Sequence, residues 1–140
     1  MECHVRPATS RDAAAISRVV IAALRESSSQ DYPSDVITQV EQSFSPEAVT
    51  SQLTKRRVFV ALLGENIIGT AGLDGDVVRS VFVDPAHQKG GIGRHLMDVI
   101  HTTAASAGVG AVRVPSSITA ERLYPSGKVI YGKLFWYVEI

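Results

Sequence analysis

The sequence predicts a mixed α/β domain: an antiparallel meander followed by a β-α-β unit. Three observations carry this. Apolar runs at residues 58–63, 67–73 and 77–83 are separated only by Gly64-Glu65-Asn66 and Asp74-Gly75-Asp76, turns that fit hairpins. The third run stops at Asp84-Pro85, and a glycine-rich stretch then opens directly into an amphipathic helix. A further strand, residues 109–114, follows that helix. A whole helix between two strands brings the second back parallel to the first by a right-handed crossover.

The 140 residues read as a single domain, 1–140, with enough chain to bury a core. A hydrophobic content of 45% against 20% charged residues is that of a globular rather than a disordered chain. Fourteen basic residues balance fourteen acidic ones. Zero net charge argues against nucleic acid or an anionic membrane as a non-specific partner. No apolar run approaches the ~20 residues that cross a bilayer. The N-terminus lacks the pattern of a signal peptide. Cys3 is the only cysteine, so an intramolecular disulfide is excluded and a reducing cytoplasm is the expected compartment. One cysteine and four scattered histidines argue against a zinc site, and no metal is expected.

In chain order, His4-Val5-Arg6 is a short strand ended by Pro7. Thr9 or Ser10 caps a helix with Asp12 in its first turn, and Ile16, Val19, Val20, Ala23 and Leu24 form its apolar face. Residues 25–34 are polar and serine-rich and read as a surface loop, a connector or the rim of a site. Val36, Ile37, Val40 and Phe44 mark a second short helix. Ser45-Pro46-Glu47 starts a third, with Val49 and Leu53 buried. Lys55-Arg56-Arg57 is the one basic run, explained by cations solvated at the negative pole of a helix.

After the meander, Ile92, Leu96, Val99, Ile100 and Thr103 form the inner face of the next helix, and Gly108 ends it. Residues 117–124 are expected to be short and helical. Residues 129–131 and 134–140 close the domain as two strands around Gly132-Lys133. Gly69 and Gly72, inside a strand, allow another backbone or a ligand to come close.

The glycine-rich stretch reads Gln88-Lys89-Gly90-Gly91-Ile92-Gly93-Arg94. Backbone N–H groups exposed at a helix N-terminus favour phosphate. A Walker-type loop would end in Gly-Lys-Ser/Thr, but Gly93-Arg94-His95 stands there. A dinucleotide fingerprint needs a third glycine and an acid ~20 residues later, and neither is present.

Gln88-x-x-Gly91-x-Gly93 after a strand ending Val-Asp-Pro resembles the acetyl-CoA signature of the GNAT superfamily of N-acetyltransferases. The opening Val5-Arg6-Pro7-Ala8-Thr9 with Asp12 is similar to the usual start of these proteins. The order of elements matches over nearly the whole chain, and Ser117-Ile118-Thr119-Ala120 leading to Leu123-Tyr124 resembles their second cofactor-side segment.

The resemblance implies that the strand before the loop splays from the parallel strand after the helix, with acetyl-CoA in the gap. It implies that the pantetheine arm pairs with Val81, Phe82 and Val83, and that the pyrophosphate rests on Gln88, Lys89, Gly90, Gly91, Ile92 and Gly93, with Arg94 opening the helix. Lys89 and Arg94 could add charge-assisted contacts. The implied reaction is direct acetyl transfer to an amine, with Tyr124 as the acid at the leaving sulfur. The amine is that of a small molecule or a protein.

This chain departs from the family pattern at three places. Val77 stands where some members carry a glutamate base, which leaves Asp74, Asp76, His87 or a water chain as candidates. Pro115 stands where relatives frequently have asparagine, and Gly127-Lys128-Val129 replaces the usual Gly-Phe spacing after the tyrosine. The missing carboxylate keeps a second reading open, a non-catalytic sensor that binds acetyl-CoA. A third is a nucleotide-phosphate binder of another fold. Residues 27–34 and the Trp136-Tyr137 strand are candidate walls of the acceptor site by position, although Trp136 reads first as a core or dimer-interface aromatic in a possible homodimer.

Overall fold

The computed structural model describes residues 3–28, 33–88, 90–115, 129–131 and 135–139. Strands β1 (Cys3–Pro7), β2 (Arg57–Leu63), β3 (Asn66–Asp74), β4 (Val77–Val83), β5 (Ala111–Pro115), β6 (Val129–Tyr131) and β7 (Phe135–Glu139) form one sheet in the order β1-β2-β3-β4-β5-β7-β6. Helices α1 (Ala13–Ser28), α2 (Ser34–Gln42) and α3 (Pro46–Lys55) fall between β1 and β2, and α4 (Ile92–Ser106) between β4 and β5. The expected meander is present as β2–β3–β4, all antiparallel, and β4 pairs with β5 in parallel. The mixed sheet and the β-α-β unit are those that the sequence predicts.

Alternation along the strands divides the core between the two faces of the sheet. Phe59 and Ala61 of β2 pack with Leu96, Met97 and Ile100 of α4 on one face. Val60 and Leu62 pack with Ile16 and Val20 of α1 and Val49 of α3 on the other. Each fully buried side chain of this size stabilises the fold by roughly 1.5–3 kcal/mol.

Local signals set the helix boundaries. Ser45 caps α3 by accepting the Ala48 N–H at 3.2 Å, with Pro46 at the first helical position. At the N-terminus, Thr9 leads through a 3₁₀ turn at Ser10–Asp12 into α1. The buried Asp12 accepts the Thr9 N–H at 2.8 Å and both ends of the Arg6 guanidinium at 2.8 and 3.0 Å. Gly108, at φ 82°, ends α4 in the left-handed conformation expected of it.

Two expectations differ from the structure. The 25–34 loop begins later, because α1 continues to Ser28: Arg25 and Glu26 are good helix formers, and Arg25 pairs with Glu41 of α2 at 2.7 and 3.1 Å. In the second helix region Val36 and Val40 are exposed, and Ile37 and Phe44 are half-buried. Leu53 is only half-buried.

Candidate active site

Among the described residues the one β4–β5 register pair is Val77↔Arg113, at the start of β4 and the middle of β5. Two further contacts fasten this end. The Arg113 N–H donates to the Asp76 carbonyl at 2.7 Å, and the Arg113 guanidinium donates to the Asp76 carboxylate at 2.8 and 3.2 Å. Beyond it, Phe82 and Val83 pair with β3, and residues 81–83 have no register partner on β5 among the described residues. The strands therefore diverge as a V, and the half-buried residues 81–83 border the open part.

A bulge re-aims β4 within this gap. Thr70 pairs with Phe82 but Gly72 pairs with Arg79, so Ser80 and Val81 together stand opposite Ala71. Ser80 adopts φ 54°, the left-handed region that non-glycine residues rarely enter. The extra residue puts Val78 and Val81 on the α4 face, while Phe82 faces the α1 side. Bulges also increase local twist, which helps turn β4 away from β5. Sequence reasoning missed Ser80. The available signal was the spacing of Val78 and Val81, which strict alternation cannot place on one face.

The loop after β4 is built from short-range bonds. The Asp84 carboxylate accepts the Ala86 N–H at 2.9 Å in a 3₁₀ turn at Pro85–His87. The Gln88 carboxamide donates to the Val83 carbonyl at 3.4 Å, tying the loop to the strand. Gly91 is the N-cap of α4 at φ 76°, and among the described residues a Cβ there would meet nothing within 4 Å. Glycine is needed at 91 for its backbone conformation, not for room within the protein. The first N–H groups of a helix lack intrahelical partners, so those of α4 are a potential anion cradle. Gly93 is half-buried and Arg94 exposed in that first turn. Lys89, Tyr124 and the segment 117–124 lie outside the described residues.

The base candidates separate clearly. Arg113 hydrogen bonds hold the Asp76 carboxyl below the usual carboxylate range, which makes it a weak proton acceptor. Asp74 is exposed at the β3 end, Val77 is buried, and His87 is half-buried on the loop side of β4. Among the described residues, no cluster of three or more His, Cys, Asp or Glu side chains could hold a metal ion. No described helix is long and apolar enough to cross a membrane.

The strand glycines admit protein rather than ligand. A Cβ on Gly69 would come within 3.1 Å of Leu96 and 3.2 Å of Ile92, so this glycine lets α4 approach the sheet. Gly72 lies under Arg56 on the opposite face, where a cavity of about 10 Å³ is bordered by Gln52, Arg56, Thr70, Gly72 and Ser80. A larger depression of about 480 Å³, bordered by Lys55, Arg57, Leu73 and Val109, lies toward the fastened end of the V.

The model of the acetyltransferase (GNAT) domain matches residues 27–126. The chain belongs to the GNAT acetyltransferase family. Its fold is also that of solved members. The PaiA N-acetyltransferase of Thermoplasma acidophilum, in complex with coenzyme A, superposes with a TM-score of 0.81 at 15% identity, over 99% of each chain. A GNAT family acetyltransferase from Brucella melitensis, in complex with acetyl-CoA, gives 0.71 at 21% identity, over 99% of this chain and 88% of that one. A GNAT acetyltransferase of Staphylococcus aureus gives 0.67 at 16% identity, over 99% and 98%. Among curated protein sequences, none matches. In this GNAT chain the meander, the V and the glycine-capped helix thus occur together, as the Gln88–Gly93 pattern implies.

Proposed function

We propose that this chain is an acetyl-CoA-dependent N-acetyltransferase that moves the acetyl group directly from the thioester to a neutral amine. The observation that carries this reading is the β4 edge at residues 81–83, without a β5 partner among the described residues, beside the left-handed Gly91 at the mouth of α4. An unpaired strand edge offers N–H and C=O groups to an amide-bearing arm, as in β-augmentation. A helix N-terminus suits a pyrophosphate. In this reading Val81, Phe82 and Val83 take the arm, and Gln88 through Gly93, with Lys89 and Arg94 adding charge, take the phosphates. The coenzyme A and acetyl-CoA bound to the Thermoplasma and Brucella proteins support the same donor here.

Acetyl-CoA would supply the activated acetyl group, and the protein's part is positioning and proton transfer. An amine attacks only when neutral, so a proton must leave through a base or water relay. Backbone N–H groups near the Ser80 bulge are suited to a developing oxyanion, because their dipoles are fixed before reaction. Tyr124 is assigned as the acid that protonates the leaving sulfur, by its match to the family pattern. The acceptor is an amine of a small molecule or a protein.

One observation favours the sensor reading. The Asp76 carboxylate is committed to Arg113 and Val77 is buried and apolar, so the start of β4 offers no free carboxylate base. Thiol release from acetyl-CoA, with mass analysis of the acceptor, separates the two across a panel of amines. The acetyltransferase reading expects amine-dependent thiol release and an acetylated acceptor. Thermal stabilisation by acetyl-CoA with no thiol release on any amine would support the sensor instead.

A further inference from the structure

Arg56 contradicts the solvated helix end that its sequence predicts. Lys55 and Arg57 are exposed, but Arg56 is half-buried. Its backbone N–H closes α3 on the Gln52 carbonyl at 3.1 Å, which fixes where the side chain departs. Its Cδ lies 3.3 Å from the position of a Cβ on Gly72, so the stem crosses β3 where the strand lacks a side chain. No hydrogen bond or ion pair to its guanidinium occurs among the described residues. Burial disfavours its charge, the Arg79 guanidinium repels it, and Asp74 attracts it without an ion pair. Partly desolvated charge with a like neighbour is unfavourable unless a counter-charge arrives.

The position of this cation gives it a role. Gly72, beneath Arg56, is the register partner of Arg79, and Ser80 follows Arg79 at the bulge. Arg56 and Ser80 border the same cavity between the sheet, α1 and α3. If the pantetheine arm tracks residues 83 to 81, its thioester ends at this bulge. Adjacent strand residues are spaced by about 3.3 Å, so the backbone of Arg79 stands two residues past Val81, with the Arg56 stem beside its register partner Gly72.

We propose that Arg56, together with Arg79, binds an anionic group carried by the acceptor, a small amine bearing a carboxylate or a phosphate. This inference rests on the acetyltransferase reading. A guanidinium fork suits either oxyanion, and the bond is charge-assisted.

The test uses matched acceptors and acetyl-CoA. Short ω-amino carboxylates are compared with their uncharged amides, and an aminoalkyl phosphate with the corresponding amino alcohol. The proposal expects kcat/KM to favour the anionic member by roughly 10- to 100-fold. Whichever pair shows the larger ratio identifies the anion. Arg56→Met, which keeps an apolar stem over Gly72, should bring the ratio toward one, and Arg56→Lys should retain part of it. Arg79 is exposed, so Arg79→Met tests the same ratio should Arg56→Met not fold. Equal rates within each pair for the wild type, or a preference surviving in Arg79→Met and in any folded Arg56→Met, would overturn the proposal. Should no amine release thiol, the acetyltransferase reading fails, and calorimetric titration of the same compounds decides the anion site by itself. Acids binding more tightly than amides, with the difference lost in the variants, sustain it; equal binding by the wild type overturns it.

Discussion

Asp76 and Arg113 fasten the narrow end of the gap between β4 and β5 through two side-chain hydrogen bonds, at 2.8 and 3.2 Å, and a backbone bond at 2.7 Å. Both side chains are more than a third exposed, so water screens the pair and its contribution to stability is modest. A double-mutant cycle with Asp76→Asn and Arg113→Met should give a coupling of about 0.5–1 kcal/mol in chemical unfolding. Coupling near zero would remove the pair as the fastening of the V.

Asp12 should make the fold acid-sensitive. The Arg6 hydrogen bonds and the Thr9 N–H hold its carboxyl below the usual range, against the opposing effect of burial. A depressed folded-state pKa gives stability that is full above the unfolded value of ~3.9 and is lost as pH falls through the lower folded value. Arg6 is about a third exposed, and solvent screening limits the pair to about 1–2 kcal/mol. Asp12→Asn should therefore destabilise the protein at neutral pH, and the difference from wild type should shrink below pH ~4. A difference that is constant with pH would contradict the assignment.

Ser80 is strained by its backbone conformation, at φ 54°. Ser80→Gly should leave the melting temperature unchanged or raise it, because glycine enters this region without penalty. Ser80→Val should cost about 1–2 kcal/mol, since a β-branched residue there is an outlier. A valine variant as stable as wild type would mean that the bulge is not held in this conformation.

Tyr124→Phe should lower turnover by ~10²-fold or more while leaving acetyl-CoA affinity intact, as expected on loss of a general acid. Turnover like that of the wild type would remove Tyr124 from the mechanism.

Much of the fold was legible because its signals are local. Turn residues between apolar runs gave the meander, and Gly91 with its following helix gave the loop. The open side of β4 could be expected only through the family resemblance, because strand divergence has no local sequence signal. Ser80 was missed because a serine in a strand carries no mark of a left-handed backbone. Arg56 was misread because a basic run at a helix end is ordinarily solvated, and only the bare strand at Gly72 makes room for its stem. α1 outran its expected end because a tertiary pair, Arg25 with Glu41, supports its last turn.

Calorimetric titration of acetyl-CoA into wild type and Gly91→Glu tests the central claim most directly. Among the described residues a Cβ at Gly91 meets no atom within 4 Å beyond its chain neighbours, so the carboxylate would project outward at the α4 N-terminus. The backbone strain of a left-handed non-glycine residue costs about 1–2 kcal/mol of stability, which a thermal melt can confirm is survivable. The account predicts saturable binding by wild type that weakens with salt, and no measurable binding by the folded variant. Equal affinity in the two proteins, or no binding by wild type, would contradict it.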